Sequence, residues 1–187
     1  MKSICFSGGA KGSDHAWGLM AVNSGHDLIH FTFPGHKSVE EQFSKKLTVA
    51  ELGEADPYVE TAAKSMRRKW PSQNPHVNNL LRRNHYQVRF CERVYAVANL
   101  LPDDKSSLKI SGGTAWAATM YVDRWYADRT LKECELYFYD MTSNKWMQWW
   151  ETWKVIEKPP VPHGRYAAIG SRDITDAGIK AIFAAYG

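Results

Sequence analysis

Residues 3–18, SICFSGGAKGSDHAWG, decide the fold class of this chain. An apolar, strand-like stretch at 3–8 runs into a turn that contains Gly8, Gly9 and Gly12, and a helix-like run follows. Glycine admits backbone conformations with positive φ and lets the main chain approach other groups closely. The stretch therefore predicts a buried strand, a tight turn almost free of side chains, and then a helix.

The alternation of strand and helix continues to the end of the chain. Strands are predicted at 3–8, 27–35, 94–101, 133–141 and 166–170, and helices at 13–25, 38–52, 57–70, 76–92, 111–128 and 175–187. This pattern predicts an α/β, Rossmann-like fold: a parallel sheet with helices on both faces. An aromatic-rich hairpin is expected near residues 142–150, because TSNK precedes KWMQWW.

The length of 187 residues predicts a single domain. We expect a main body at 1–158, a Pro-rich connector at 159–165, and a C-terminal strand and helix at 166–187 that complete the sheet. The tryptophans of the hairpin region have a mixed spacing that fits neither strand nor helix, and they predict a sheet extension or an oligomer surface: Trp146, Trp149, Trp150 and Trp153.

The composition limits the kinds of ligand and the compartment that can be expected for this chain. The net charge is +4, from 24 Lys+Arg against 20 Asp+Glu, so an anionic ligand is possible while nucleic acid is not required. The three cysteines are far apart without a CxxC pair, which indicates reduced core residues of a cytoplasmic protein. No membrane span, signal peptide or metal-ligand spacing stands out, and no cofactor is expected.

Three predicted strands end in polar, glycine-rich turns: Ser7-Gly8-Gly9, Ser111-Gly112-Gly113-Thr114 and Gly170-Ser171-Arg172-Asp173. Ligands of open α/β folds bind beyond the carboxyl ends of the strands, and a helix that starts there directs free N–H groups at an anion. The turns therefore predict a phosphate-bearing ligand. GAKGSD is not a phosphate-binding P-loop, since Lys11 precedes Gly12, and it is not a dinucleotide fingerprint either.

Several of these motifs resemble the SLOG superfamily, which includes lonely-guy cytokinin enzymes, DNA-processing protein A and domains that sense ADP-ribose derivatives. SGGAKGSDHAW resembles its GGAxGaD signature, SGGTAWAATMYVDRW its GGxGT turn, and IGSRDITDAGI its GSRd strand. RRNHYQV followed by VYAVANLL looks like a segment of one SLOG branch whose small members occur in phage and bacterial genomes.

The order of the motifs departs from the SLOG pattern, in which the GSR strand comes first. Here Gly170-Ser171-Arg172 comes last, so the chain is either circularly permuted or completes its sheet by exchanging the last strand with a second copy. A fragment of a tandem protein is a third alternative, and permutation within one chain is the favoured one. A homo-oligomer is nevertheless expected.

The resemblance implies a ligand site made of the three turns and part of the 76–92 helix: Gly8, Gly9, Lys11, Gly12, Ser13, Asp14, Arg83, Asn84, Ser111, Gly112, Gly113, Thr114, Gly170, Ser171, Arg172 and Asp173. The first turn would donate from backbone and hydroxyl groups, and Arg172 would pair with phosphate. Asp14 and Asp173 are also placed to cap helices, and Arg83 could be a solvated charge. Trp17 and Trp116 are expected in the core.

The lonely-guy enzymes carry a Glu shortly after the GGxGT turn, and residues 115–123, AWAATMYVD, lack it. We therefore expect no catalytic residue and no turnover. The predicted function is binding of an ADP-ribose-type or cyclic nucleotide signal by a phage sponge in the host cytoplasm. The alternatives are a nucleotide N-glycosidase or phosphoribohydrolase that uses Asp14 or Asp173, and a single-stranded DNA-binding protein, which the scattered basic residues disfavour.

Overall fold

The computed structural model describes residues 2–128 and 133–187, which form an α/β fold around one eight-stranded sheet. The strands are β1 (Ile4–Ser7), β2 (Asp27–Thr32), β3 (Ser44–Lys46), β4 (Arg93–Ala98), β5 (Leu136–Asp140), β6 (Lys145–Trp149), β7 (Trp153–Ile156) and β8 (Arg165–Gly170). Their order across the sheet is β3-β2-β1-β8-β4-β5-β6-β7, and all pairs up to β5 are parallel. The predicted Rossmann-like sheet is confirmed.

The last strand of the chain, β8, lies in the middle of its own sheet. Ile4 of β1 pairs with Arg165, and Val94 of β4 pairs with Ala167, both in parallel register. Because β8 is buried on both faces, its sequence is an almost continuous apolar run, YAAI, as parallel central strands require. The structure thus has the arrangement expected of permutation within one chain.

Helices cover both faces of the sheet, as predicted. They are α1 (Ser13–Asn23), α2 (Val49–Glu54), α3 (Asp56–Met66), α4 (Pro75–Val88), α5 (Gly112–Ala127) and α6 (Asp176–Ala185). Helices α1 and α6 pack on one face through Trp17 and Ile182, and α2–α5 pack on the other. Trp17 is fully buried and Trp116 is 7% exposed, so both lie in the core as expected.

The helix predicted at 38–52 is wrong. A short 3-10 helix at Glu41–Phe43 is followed by β3, an edge strand, and by α2. The capping box at the start of α2 is made by Thr48 and Glu51. The SxxE pattern at Ser38 occurs in a loop, because pairing of residues 44–46 with β2 replaces helical hydrogen bonds there.

Two other predicted helices end about four residues early. Helix α3 stops at Met66 because Arg67 takes a left-handed conformation with φ 55°, and α4 stops at Val88. The predicted hairpin forms as β5–β6, and β7 extends it by a further antiparallel strand. The tryptophans of this region form a sheet extension: Trp146 and Trp149 are buried, and Trp150 is 44% exposed.

The remaining expectations about the core agree with the structure. Cys5, Cys91 and Cys134 are buried and unpaired among the described residues. Across residues 2–128 and 133–187, no helix has the length and apolar character that a bilayer crossing needs.

Candidate functional site

A cavity of about 480 Å³ lies at the carboxyl edge of the sheet, between α4, α5 and the turn that follows β8. Its wall contains eleven of the predicted site residues: Asp14, Arg83, Asn84, Ser111, Gly112, Gly113, Thr114, Gly170, Ser171, Arg172 and Asp173. The place agrees with the general rule for open α/β sheets. The structure therefore brings most of the predicted site around one cavity.

The second glycine turn opens into this cavity. Gly112 and Gly113 are exposed, and a Cβ at either would meet no described atom within 4 Å. They begin α5, a helix of 16 residues, where the Ser111 side chain makes no capping bond within the described residues. A long helix that starts at an open turn offers N–H groups and the positive end of its dipole to an anion.

The third turn packs against the first. The Ser171 N–H donates to the Val97 carbonyl at 2.8 Å, and the Ser13 N–H donates to the Ser171 carbonyl at 3.0 Å. A Cβ at Gly170 would lie 2.5 Å from Ser13 Oγ, so only glycine allows this approach. The turn leaves the Arg172 side chain exposed at the cavity.

The glycines of the first turn do not line the cavity, and Ala10 is the residue of this turn that does. Gly8, Gly9, Lys11, Gly12 and Ser13 are absent from its wall as described, and protein atoms fill the space beside three of these glycines. A Cβ at Gly8 would lie 1.3 Å from Arg83 Nη1, one at Gly9 2.4 Å from a Ser38 oxygen, and one at Gly12 2.2 Å from the Arg172 carbonyl. The expected phosphate cradle is thus occupied by the chain itself.

Helix α4 supplies the polar wall. Arg83 has 6% of its side chain exposed, so it is not the solvated charge considered from the sequence. Its Nη1 lies 3.8 Å from Asp14 Oδ2, and the Asn84 amide donates to the Gly113 carbonyl at 3.1 Å. Gln87 lies one turn further, and we assign its amide the orientation in which all its neighbours are satisfied: the oxygen then accepts from Arg83 Nη1 at 3.0 Å and from the Gly8 N–H at 2.6 Å.

Burial governs the charges of this pair. Burial raises the pKa of Asp14, which Arg83 and the N–H groups of Ala10 and Gly8 oppose, and burial lowers the pKa of Arg83. Desolvation disfavours any isolated charge, so each of the two ions depends on the other. At the Asp14–Arg83 distance of 3.8 Å the two charges attract each other without a hydrogen bond between these atoms.

The capping roles considered for the two aspartates are wrong. Asp14 lies inside the first turn of α1 and accepts from the Ala10 N–H at 3.3 Å, while Gly12 is the N-cap. Asp173 is exposed in the turn before α6, whose N-cap is Thr175. The Asp14 carboxylate therefore accepts a hydrogen bond from the first glycine turn and lies beside Arg83.

Several wall residues are absent from the predicted set: Ala10, Lys69, Ser72, Val77, Leu80, Leu81, Gln87, Trp116, Ala117 and Ile169. Gln87 follows Arg83 by one helical turn, a spacing that places both on one face. Lys69 belongs to the basic run Arg67-Arg68-Lys69, so its charge was a usable signal. The apolar wall formed by α4 and α5 has no such local signature.

The charges around the cavity favour an anion. Lys69, Arg83 and Arg172 are the cationic wall residues, and Asp14 and Asp173 are the acidic ones among those described. His36 lies half-buried nearby, where burial and the charges of Arg83 and Arg172 lower its pKa from 6.5 to about 4. Across residues 2–128 and 133–187, no cluster of His, Cys, Asp or Glu could hold a metal ion.

Asp123 lies outside this site. It sits on the middle of α5, accepts from the Ser65 hydroxyl at 2.9 Å, and faces a separate cavity of about 350 Å³. The carboxylate that follows the second glycine turn in sequence therefore lies in a different cavity from the second and third turns.

Comparison with known proteins supports the fold. No family model and no curated protein matches the chain. A crystal structure from Syntrophus aciditrophicus SB, described as a "Putative molybdenum carrier protein", is similar in fold, with a TM-score of 0.51 and 12% identity. The alignment covers 98% of this chain and 92% of that chain. At this identity the likeness concerns the architecture, and the chain is an α/β protein of Rossmann-like fold.

Proposed function

We propose that this protein binds a small, phosphate-bearing, nucleotide-derived ligand in the cavity at the carboxyl edge of the sheet. The observation that carries the proposal is the open turn Gly112-Gly113 at the start of a 16-residue helix, in one wall with Arg83 and Arg172. Backbone N–H groups and guanidinium groups are the donors that proteins use for phosphate.

The shape of the cavity fits such a ligand. Its volume of about 480 Å³ falls within the range of about 300–1,000 Å³ that is usual for small-molecule pockets. The polar turns lie at one side, and Leu80, Leu81 and Trp116 give an apolar wall for a base or another flat group. We propose an ADP-ribose-type or cyclic nucleotide signal as the ligand.

Binding without turnover is the preferred form of this proposal. No Glu follows the second glycine turn within residues 115–123, and Asp123 faces the other cavity. A protein that holds a nucleotide signal intact would act as a sponge, and the resemblance to small SLOG members of phages suggests sequestration of a host-defence signal in the host cytoplasm.

The test is incubation of the purified protein with ADP-ribose, its cyclic isomers, cyclic di- and trinucleotides and AMP. Molybdate, suggested by the description of the similar structure, and a single-stranded oligonucleotide complete the panel. Thermal shift identifies the binder, and mass spectrometry after heat denaturation identifies what is released. We expect one nucleotide to stabilise the protein and to be recovered intact.

Two variants connect binding to the cavity. Arg172→Ala removes an exposed cation, and Gly113→Asp places a carboxylate where a Cβ meets no described atom, so both should fold. Each should weaken binding at least about tenfold, because a charge-assisted hydrogen bond is lost or an anion is repelled. Unchanged affinity in both would refute the proposed site.

An enzyme is the second candidate. Asp14 lines the cavity, and burial raises its pKa, as a general acid in glycosidic cleavage requires. Release of a free base and a ribose phosphate, abolished by Asp14→Asn in a folded protein, would establish this alternative over binding without turnover.

A further inference from the structure

The first glycine turn holds an arginine. The guanidinium of Arg83 occupies the space in which a Cβ of residue 8 would lie, 1.3 Å from Nη1. Any side chain at position 8 would therefore expel it. The glycine at this position is explained by an internal contact with α4, and a ligand is not needed to account for it.

Three groups surround the Arg83 guanidinium, from Gln87, Asp14 and Gly8, and we call the space between them its seat. In the assigned orientation of the Gln87 amide, its oxygen accepts from Arg83 Nη1 at 3.0 Å. Asp14 Oδ2 lies 3.8 Å from the same nitrogen, and the main chain of Gly8 closes the third side. Arg83 Nε is buried and finds no partner among the described residues. An arginine held in this way keeps a fixed position while part of its hydrogen-bonding capacity is unused.

A chain of hydrogen bonds joins the two glycine turns through this seat. The Gly8 N–H donates to Gln87 Oε1 at 2.6 Å, and the Gln87 amide nitrogen donates to Asn84 Oδ1 at 3.0 Å. The Asn84 amide nitrogen then donates to the Gly113 carbonyl at 3.1 Å. Gln87 is the member that serves both turns, because its oxygen faces the first and its nitrogen leads to the second.

We infer that Gly8 and Gln87 are positioning residues for the anion site at Gly112-Gly113: Gly8 seats Arg83, and Gln87 fixes both Arg83 and Asn84. This inference rests on the proposed function, since it assigns how that site is held in shape. Donors that are already held in place bind a ligand more tightly, because binding then carries no free-energy cost of ordering them. Gly8, which does not line the cavity, thereby affects affinity.

Gly8→Ala tests the seat directly. The new Cβ must displace the guanidinium, while Gly53→Ala is the matched control, since Gly53 is in α2 and a Cβ there meets no described atom within 4 Å. Binding of inorganic phosphate and of AMP is followed by NMR titration. The Hε–Nε resonance of Arg83 reports whether the guanidinium has left its seat.

Gln87→Glu is the second variant. A carboxylate still accepts from Gly8 and Arg83, but it has no N–H to donate to Asn84 and adds a negative charge at the wall. We expect both Gly8→Ala and Gln87→Glu to weaken phosphate binding at least about tenfold, with the Arg83 resonance changed in the first and retained in the second.

The outcomes separate this inference from the proposed function. If wild type and Gly53→Ala bind phosphate or AMP and folded Gly8→Ala does not, both statements stand. If Gly8→Ala and Gln87→Glu bind as wild type does, the positioning role is wrong and the proposed function remains. If wild type binds neither probe nor any nucleotide of the panel, the proposed function fails, and the positioning role fails with it.

Discussion

The two glycine-rich turns look alike in sequence and differ in the structure. SGGAKGS begins at the last residue of β1, whereas residues 99–110 separate SGGT from β4, and a helix follows both turns. In the first turn, Cβ atoms at Gly8 and Gly12 would lie 1.3 Å and 2.2 Å from other protein atoms, whereas in the second turn Gly112 and Gly113 face open space. Other parts of the chain fill the space beside the first turn, and the space beside the second turn is open.

A glycine-rich turn before a helix therefore indicates that some group approaches the main chain closely, and the sequence does not say which group it is. At the first turn the approaching groups are Arg83 and the main chain of residue 172. At the second turn, α4 makes a contact through the Asn84 amide, which donates to the Gly113 carbonyl. The same residue type therefore has two different reasons for being there.

Gly12→Ala should have the largest effect on this contrast. Gly12 has φ 84° and ψ −126°, and its Cβ would lie 2.2 Å from a carbonyl oxygen of the backbone, which cannot move aside cheaply. We expect the free energy of unfolding to fall by about 3 kcal/mol or more. Urea denaturation beside Gly53→Ala measures it, and a loss below about 1 kcal/mol would contradict the packing of the first turn.

Asp14→Asn should have the next largest effect on the free energy of unfolding. The amide can still accept from the Ala10 N–H, but Arg83 loses its counter-charge in a buried position. We expect the free energy of unfolding to fall by about 2 kcal/mol at neutral pH. Denaturation curves at pH 7 give the value. Stability equal to wild type would mean that Asp14 already carries a proton in the folded state.

Gly113→Ala should leave stability close to that of wild type. The added methyl meets no described atom within 4 Å and sits in the first turn of α5, where alanine is a good helix former. A change within about 0.5 kcal/mol is expected in the same urea experiment. A large loss would show that the second turn is filled as the first one is, and the contrast between them would disappear.

The pKa of His36 should give the smallest signal. It is lowered from 6.5 to about 4 in the free protein, so the folded state binds fewer protons than the unfolded state between these values. This contribution to stability is fully present above about pH 6.5 and is lost as the pH falls towards 4. An anion beside Arg83 and Arg172 would raise the pKa, because opposite charge favours the imidazolium.

NMR titration of the His36 ring, with and without saturating phosphate, measures the shift, and the resonance is assigned with His36→Gln. A pKa that phosphate leaves at its free value would place the bound anion away from the two arginines. Thermal unfolding between pH 7 and 4 should show a shallower dependence in His36→Gln than in wild type.

The sequence predicted the fold well where the signal was local. The apolar runs of β4 and β8 and the glycines that begin α5 could be recognised because strand and helix periods depend on neighbouring residues. The helix expected at 38–52 failed for the opposite reason: β3 has three residues and exists because it pairs with β2. A three-residue edge strand has too little periodicity to be detected.

The residues of the candidate site also fall into those that the sequence predicted and those that depend on long-range packing. Arg83, Asn84 and Arg172 were found by resemblance of short motifs, and the structure places them in one wall. Gln87 and the apolar wall were missed, since their role depends on how α4 and α5 pack together. The expected homo-oligomer and the single-domain boundaries stay predictions.

The three glycine turns and the helices that begin beside them could be predicted from the sequence, because turn and helix starts depend on adjacent residues. Which of the turns is open depends on the tertiary structure. Gly8 and Arg83 are 75 residues apart, and they meet because α4 packs against β1 and β8. That long-range packing fills the first turn with a guanidinium, and it leaves open space beside the glycines of the second turn.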